Sequence, residues 1–197
     1  MKKMIFATKN KGKILEFAQM MEKHEIEVLS LLDINYEDEI EENGETFEEN
    51  ALIKAREIAS QYQTTVIADD SGLSIDVLNG APGVYSARYA GEVRSDKANI
   101  DKVLEELKGI PDDERTARFV CILAIVDETG KEVVVSGTCE GKIWHEKRGS
   151  EGFGYDPIFY LPQLGKTMAE LSKDEKNALS HRGKAFKKFE SLIGVSI

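Results

Sequence analysis

Two adjacent aspartates, Asp69 and Asp70, followed by Ser71 and Gly72, stand out in this 197-residue chain as residues that could do chemistry. They follow an apolar run, Thr65 to Ala68, that reads as a buried strand ending on the aspartates. In an extended chain neighbouring side chains point to opposite faces, so the two carboxylates cannot easily share one. One is then placed to hold a divalent cation through oxygen while the other braces a loop or a second metal position. Taken alone, Asp-Asp-Ser-Gly is equally an ordinary polar turn. A haloacid-type phosphatase is disfavoured, because that chemistry needs alternate aspartates on one face. Downstream, Ala81-Pro82-Gly83-Val84 fits a type II turn. Tyr85 to Tyr89 then mixes aromatics, a hydroxyl and an arginine without helical or strand period. An irregular segment with that chemistry in a compact protein is usually functional or disordered, and its apolar content argues against disorder.

Three further stretches carry candidate groups. Lys9, Lys11 and Lys13 lie within five residues of one another, with Thr8 and Asn10 as neutral hydrogen-bonding partners and Gly12 between them. They join an apolar run to a helical pattern, the layout that aims free backbone N–H groups at an anion. Lysines disfavour a helix start, where the macrodipole is positive, so their placement makes better sense with an anion bound. The glycine spacing of a Walker A loop is missing here, and at Gly165-Lys166-Thr167 Tyr160 stands where its first glycine should be. Gly149 to Pro162 sets Phe153, Tyr155 and Asp156 around Gly152 and Gly154. Aromatic rings beside exposed amides suit a flat heterocycle, although a glycine-rich turn before a strand reads almost as well. Finally, His181 and Arg182 fall in the first turn of the last helix, a position that basic residues avoid unless an anion is bound.

Regular elements must position these groups. Lys3 to Thr8 reads as a buried first strand, followed by a helix with Ile14, Phe17, Ala18 and Met21 on one stripe. Glu25 to Ser30 reads as a second strand. The acidic run Glu37 to Glu42 is a mostly solvated face, and its end at Glu42 could approach Asp70. Thr46 to Glu49 is a capping box opening a helix to about Tyr62, with Phe47, Ala51, Ala55, Ile58 and Ala59 inward. Asn50 and Lys54, four residues apart on a neighbouring stripe, could reach one site, though such a pair more often lies on the surface. Ser95 caps a helix with Ile100, Val103, Leu104 and Leu107 inward, which Gly109 and Pro111 end. Ala117 to Val126 and Lys131 to Ile143 form a long hairpin, and Pro157 to Leu161 a further strand. Ser172 to Glu175 is a second capping box, and Ser180 caps a final helix with Phe186, Phe189, Leu192 and Ile193 inward. His24 and His145 read as surface residues.

Bulk properties narrow the class. The formal charge of −10 disfavours long nucleic acids as partners, but a small polyanion fits if positive charge is concentrated locally. No apolar run reaches membrane-span length, and Met1-Lys2-Lys3 lacks a signal-type apolar core behind it, so a cytoplasmic location is expected. Cys121 and Cys139 fall on the two arms of the hairpin, where Cys121 pairs with about Ser136, so buried thiols are expected and no disulfide. No repeat or linker marks a domain boundary.

Taken in order, ATKNKGK, ENGETFEENALIKA, ADDSGLSIDVLNGAPGVYSARYAG, GFGYDPIF and LSKDEKNALSHRGKA resemble the inosine triphosphate pyrophosphatase family. The match runs from Ala7 to Ala185, and five motifs in order are highly specific. The resemblance implies an α/β fold: a long curved mixed β-sheet flanked by helices, forming a single domain over 1–197 with two lobes and a central cleft. It further implies a homodimer and hydrolysis of ITP, dITP and XTP to the monophosphate and pyrophosphate. By the same resemblance, Thr8, Lys9, Asn10, Lys11, Gly12 and Lys13 cradle the triphosphate. Glu42 and Asp70, with Asp69 a further candidate, hold Mg²⁺, and Asp70 accepts a proton from the attacking water. Ser71, Phe153, Gly154, Tyr155, Asp156, Lys176, His181 and Arg182 contact the base and sugar end, with Asn50 and Lys54 in support. Two other readings are a related pyrophosphatase for other modified bases, pyrimidines included, and a nucleotide sensor that binds without cleaving.

Overall fold

The structure is a computed structural model that describes residues 2–22, 24 and 26–193. Its regular elements in chain order are β1 (Lys2–Phe6), α1 (Lys11–Met21), β2 (Ile26–Ser30), α2 (Phe47–Tyr62) and β3 (Val66–Ile75). There follow α3 (Asp96–Glu106), β4 (Thr116–Val126), β5 (Glu132–Ile143), β6 (Phe159–Leu161), β7 (Lys166–Thr167), α4 (Lys173–Leu179) and α5 (His181–Ile193). Among the described residues the strands form a seven-stranded sheet in the order β2-β1-β3-β4-β5-β6-β7. It is mixed: β1 runs parallel to β2 and β3, whereas β6 runs antiparallel to β5 and β7. Parallel neighbours need crossover connections, which α1 and α2 supply. The expected α/β class with a mixed, helix-flanked sheet is what the chain forms.

The chain divides into two compact units. The first holds residues 1–70, 121–137 and 182–197; the second holds 71–120 and 138–181. In the first unit, β1 to β3 are buried on both faces, as parallel strands covered by helices must be. Alternation along each strand sorts the side chains. Ile5, Ala7, Val66, Ala68, Ala124 and Val126 pack with Ala51, Ala55 and Ile58 of α2. Met4, Phe6, Ile67, Leu123 and Ile125 pack with Phe17 and Met21 of α1 and Phe186 and Phe189 of α5. The Phe6 and Phe17 rings stack at 4.4 Å, and Phe186 meets Phe17 edge-on at 5.6 Å. The second unit packs Leu73, Ile75, Val103, Leu107, Phe119, Ile143, Ile158 and Phe159 into one core.

Several local readings hold. Thr46 and Glu49 form the capping box of α2, Ser95 caps α3, and Ser172 and Glu175 form the capping box of α4. The β4–β5 hairpin closes with the Asp127 and Gly130 amides donating to Lys131 O and Asp127 O. Both cysteines are free and buried, in different packed clusters.

Others are corrected. The strand that begins at Val66 does not stop at the aspartates but runs through them to Ile75. Pro82 has ψ −23°, which rules out a type II turn, and Gly83–Arg88 is a 3₁₀ helix, not an irregular segment. Ala18 is exposed and Phe47 only half-buried, since Phe17 and Met21 alone suffice to seat α1, and Ala51 and Ala55 to seat α2. A 3₁₀ turn at Asp156–Ile158 delays β6 to Phe159. Ser180 ends α4, its amide donating to Lys176 O, so it serves as a C-cap as well as preceding α5. Of the expected second strand, Glu25 lies outside the described residues, as does the Ile193 side chain.

Candidate functional site

In the first unit, the step from Asp69 to Asp70 on β3 separates two environments. Asp69 continues the face of Ile67, toward α1 and α5. There its carboxylate lies 2.8 Å from Lys13 Nζ and 3.5 Å from Arg182 Nε. Arg182 also bonds Glu16 of α1, so four charges of α1, β3 and α5 form one buried network. Burial alone would raise the Asp69 pKa, but Lys13 and Arg182 outweigh it and hold the carboxyl well below its ordinary value. Although burial disfavours the Arg182 cation, Glu16 and Asp69 keep the guanidinium charged beyond doubt of titration.

Asp70 continues the face of Val66 and Ala68, toward α2. Lys54 of α2 stands 3.5 Å from Asp70 Oδ1 and 2.6 Å from Glu42 Oε2, so one ammonium balances two carboxylates. Burial lowers the affinity of Lys54 for its proton, and Asp70 and Glu42 more than restore it. Burial leads the causes that raise the Asp70 pKa, against the opposing pull of Lys54 and Lys13. Asp70 Oδ2 is buried without a hydrogen-bond partner among the described residues. Asn50 is buried as well, its Oδ1 accepting from Gly44 N at 2.8 Å, which ties the loop bearing Glu42 to α2. A Cβ on Gly44 would lie 2.6 Å from Glu49 Cβ, so only glycine lets the loop approach that closely. Asn50 and Lys54, which a helical wheel leaves near the surface, are therefore interior.

The donor set around Asp70 fits a hard divalent cation: two carboxylates, hard oxygens throughout, with one buried oxygen to spare. Among the described residues no cluster of three or more His, Cys, Asp and Glu side chains gathers. Two protein carboxylates suit Mg²⁺, which commonly takes its remaining ligands from water and substrate phosphates. Asp69, by contrast, is taken up by Lys13 and Arg182.

The lysine loop is less uniform than its sequence. Asn10 caps α1, its Oδ1 accepting from Lys13 N at 3.1 Å, and its own amide donates to Thr8 Oγ1 at 3.2 Å. Lys9 Nζ donates to the carbonyls of Glu37 and Asp38, Lys11 is exposed, and Gly12 is half-buried. Lys13 is spent on Asp69, so the cations do not act as three equivalent ones.

In the second unit, Lys176 Nζ lies 2.6 Å from Asp156 Oδ2 and 4.9 Å from the centre of the Phe153 ring. The Phe153 amide donates to Asp156 Oδ2 at 2.9 Å and the Gly154 amide to Asp96 Oδ2 at 2.8 Å. The amides read from sequence as exposed are thus already bonded to carboxylates. A Cβ at Gly152 (φ +77°) would sit 2.1 Å from Asp156 Oδ2, so the buried pair requires glycine there. Tyr155 is a core residue, its hydroxyl donating to Ser86 O at 2.8 Å, and its ring is not free to stack on a base. His181 is buried and stacks on Phe119 at 4.7 Å, and Ser71 is half-buried on β3. Sequence reading missed Glu16, Asp96 and Phe119. Only the first-turn position of Asp96 in α3 hinted at any of them.

The Ham1 family model matches residues 4–192. A dITP/XTP pyrophosphatase of Bacillus cereus is 58% identical over 195 residues, covering 98% of this chain and 95% of the relative. That of Bacillus subtilis is 55% identical over 193 residues, covering 98% of each. Among solved structures, the Staphylococcus aureus Ham1 protein superposes with TM-score 0.89 at 43% identity, and a HAM1 protein from Coxiella burnetii with 0.90 at 43%, each covering 100% of both chains. With a family model spanning almost its whole length and relatives this similar, the chain belongs to the Ham1 family.

Proposed function

We propose that the chain is a nucleoside-triphosphate pyrophosphohydrolase that cleaves dITP, XTP and ITP to the monophosphate and pyrophosphate. The reading rests on the likeness to dITP/XTP pyrophosphatases together with one observation: Asp70 and Glu42 share the Lys54 ammonium, and one Asp70 oxygen has no hydrogen-bond partner. Glu42 and Asp70 would hold Mg²⁺, which when bound supplies charge neutralisation on the phosphate oxygens. Asp69 is assigned the lesser part of fixing Lys13 and the strand. Water adds across the α–β anhydride: its oxygen bonds one phosphorus, the bridging oxygen leaves with the other, and Asp70 takes the proton. Burial, by raising the Asp70 pKa, makes it a stronger acceptor than an exposed carboxylate. Lys54 and the exposed Lys11 oppose the charge of the phosphates.

Lys176, positioned by Asp156 over Phe153, is proposed for the base end, with His181, Ser71 and Gly154 nearby in role. Hypoxanthine and xanthine present an acceptor oxygen at purine position 6, where adenine presents an amino donor. An ammonium donor favours the first and opposes the second. Arg182 acts at one remove, through Glu16 and Asp69. Among the described residues no helix is long and apolar enough to cross a membrane, and a cytoplasmic homodimer is part of the same proposal.

Initial rates of pyrophosphate release from dITP, XTP, ITP and ATP with Mg²⁺ test the reading. The first three are expected to exceed ATP by about 100-fold or more. Equal turnover of ATP refutes the selectivity, and binding of dITP without release of pyrophosphate identifies a sensor instead.

A further inference from the structure

Within the second unit, away from the groups above, β5 and β6 pair with Lys142 opposite Tyr160 and Ile143 opposite Phe159. Ile143 and Phe159 are core residues, so by alternation Lys142, Trp144 and Tyr160 share the outer face of this ribbon. The Trp144 and Tyr160 rings lie 4.3 Å apart. Beside them a pocket of about 180 Å³ is lined by Arg115, Lys142, Trp144, Tyr160, Asp112 and His145, among others. An apolar cavity of about 150 Å³ holds a benzene ring, so the size suits one six-membered ring with a small substituent.

The electrostatics of the pocket are unbalanced. Arg115 is buried at 3% exposure, yet it forms no ion pair among the described residues. Its Nε, Nη1 and Nη2 donate to the carbonyls of Ile143, Leu107 and Trp144 at 2.8, 2.7 and 3.2 Å. A guanidinium carries five N–H donors, so one remains on each terminal nitrogen. Asp112, the carboxylate of the lining, is exposed and held by His145 at 2.6 Å. Burial disfavours the Arg115 charge, and an incoming anion would relieve that cost. Lys142 adds a second cation at the rim.

We propose that this pocket binds a planar monocyclic carboxylate, its ring against Trp144 and Tyr160 and its carboxylate on Arg115 and Lys142. The observation behind it is a buried, unpaired guanidinium lining an aromatic-walled pocket of one-ring size. Trp144 is the single tryptophan of the chain, so ¹⁵N-labelled protein gives one indole N–H resonance that reports on the pocket. Titration with benzoate is expected to shift that resonance saturably. Neutral benzamide should bind about tenfold more weakly, as loss of a charge-assisted hydrogen bond implies. Because Arg115→Ala removes three backbone bonds and could unfold the segment, the charge is tested with Lys142→Glu, which should weaken benzoate by a similar factor and leave dITP hydrolysis unchanged. No saturable shift, equal affinity for benzamide, or displacement of benzoate by dITP would each overturn the assignment.

Discussion

Asp69 and Asp70 have the same side chain and adjacent positions, yet opposite fates, because β3 turns one to α1 and α5 and the other to α2. Asp69 is held by Lys13 and Arg182 with its carboxyl far below the ordinary aspartate value of 3.8. A group whose folded pKa is depressed stabilises the fold above the unfolded value, and that contribution is lost as pH falls below it. Melting temperature is therefore expected to drop between about pH 5 and pH 3, more steeply in the native protein than in Asp69→Asn. At neutral pH the same substitution leaves Lys13 and Arg182 buried without their carboxylate and should cost about 3–5 kcal/mol, measurable by urea unfolding. An Asp69→Asn protein as stable as the native one at pH 7 would show that the network is not under that electrostatic tension. Cys121 lies on the same face, where burial pushes its thiol up to about 12, so it stays an unreactive packing residue.

At the scale of elements, turns and caps set how closely groups approach. The reciprocal bonds of Thr46 and Glu49 fix the first turn of α2, the helix that presents Asn50 and Lys54. Thr46→Ala should remove about 1 kcal/mol of stability without touching the carboxylates, a loss that thermal unfolding would register. Gly152 acts differently, since its positive φ and lack of a Cβ admit the Asp156–Lys176 pair. Gly152→Ala is expected to raise KM for dITP about tenfold, the equivalent of 1.4 kcal/mol, while kcat changes less. A fall in kcat with KM unaltered would place this turn outside base recognition. Much of this scale was legible in the chain. Capping boxes are short, local patterns, and the helices they open were found where Thr46, Ser95 and Ser172 put them. The break at Gly83–Arg88 was not, because a 3₁₀ helix leaves no longer-range period, and the continuation of β3 was hidden by its own aspartates, which propensity assigns to turns.

For the whole molecule, the alternating faces of a parallel, helix-covered sheet explain what the sequence could and could not reveal. The apolar runs and their helical partners announced the α/β class and the separation of Asp69 from Asp70. They could not announce that Lys54 would reach both Glu42 and Asp70, since those three come from a loop, a helix and a strand far apart in the chain. Nor could they show that Arg182 would turn inward to Glu16, or Tyr155 into the core, because ion-pair partners and burial are set by packing. The resemblance to pyrophosphatases named the right residues before the structure gave them different parts: Asp70 and Glu42 at the cation, Asp69 and Arg182 behind them. The most direct test is pyrophosphate release from dITP by the native protein and by Asp70→Asn, with thermal unfolding of both measured alongside. A loss of about 100-fold or more with unfolding little changed is the predicted result. An Asp70→Asn protein that releases pyrophosphate at the native rate would contradict it.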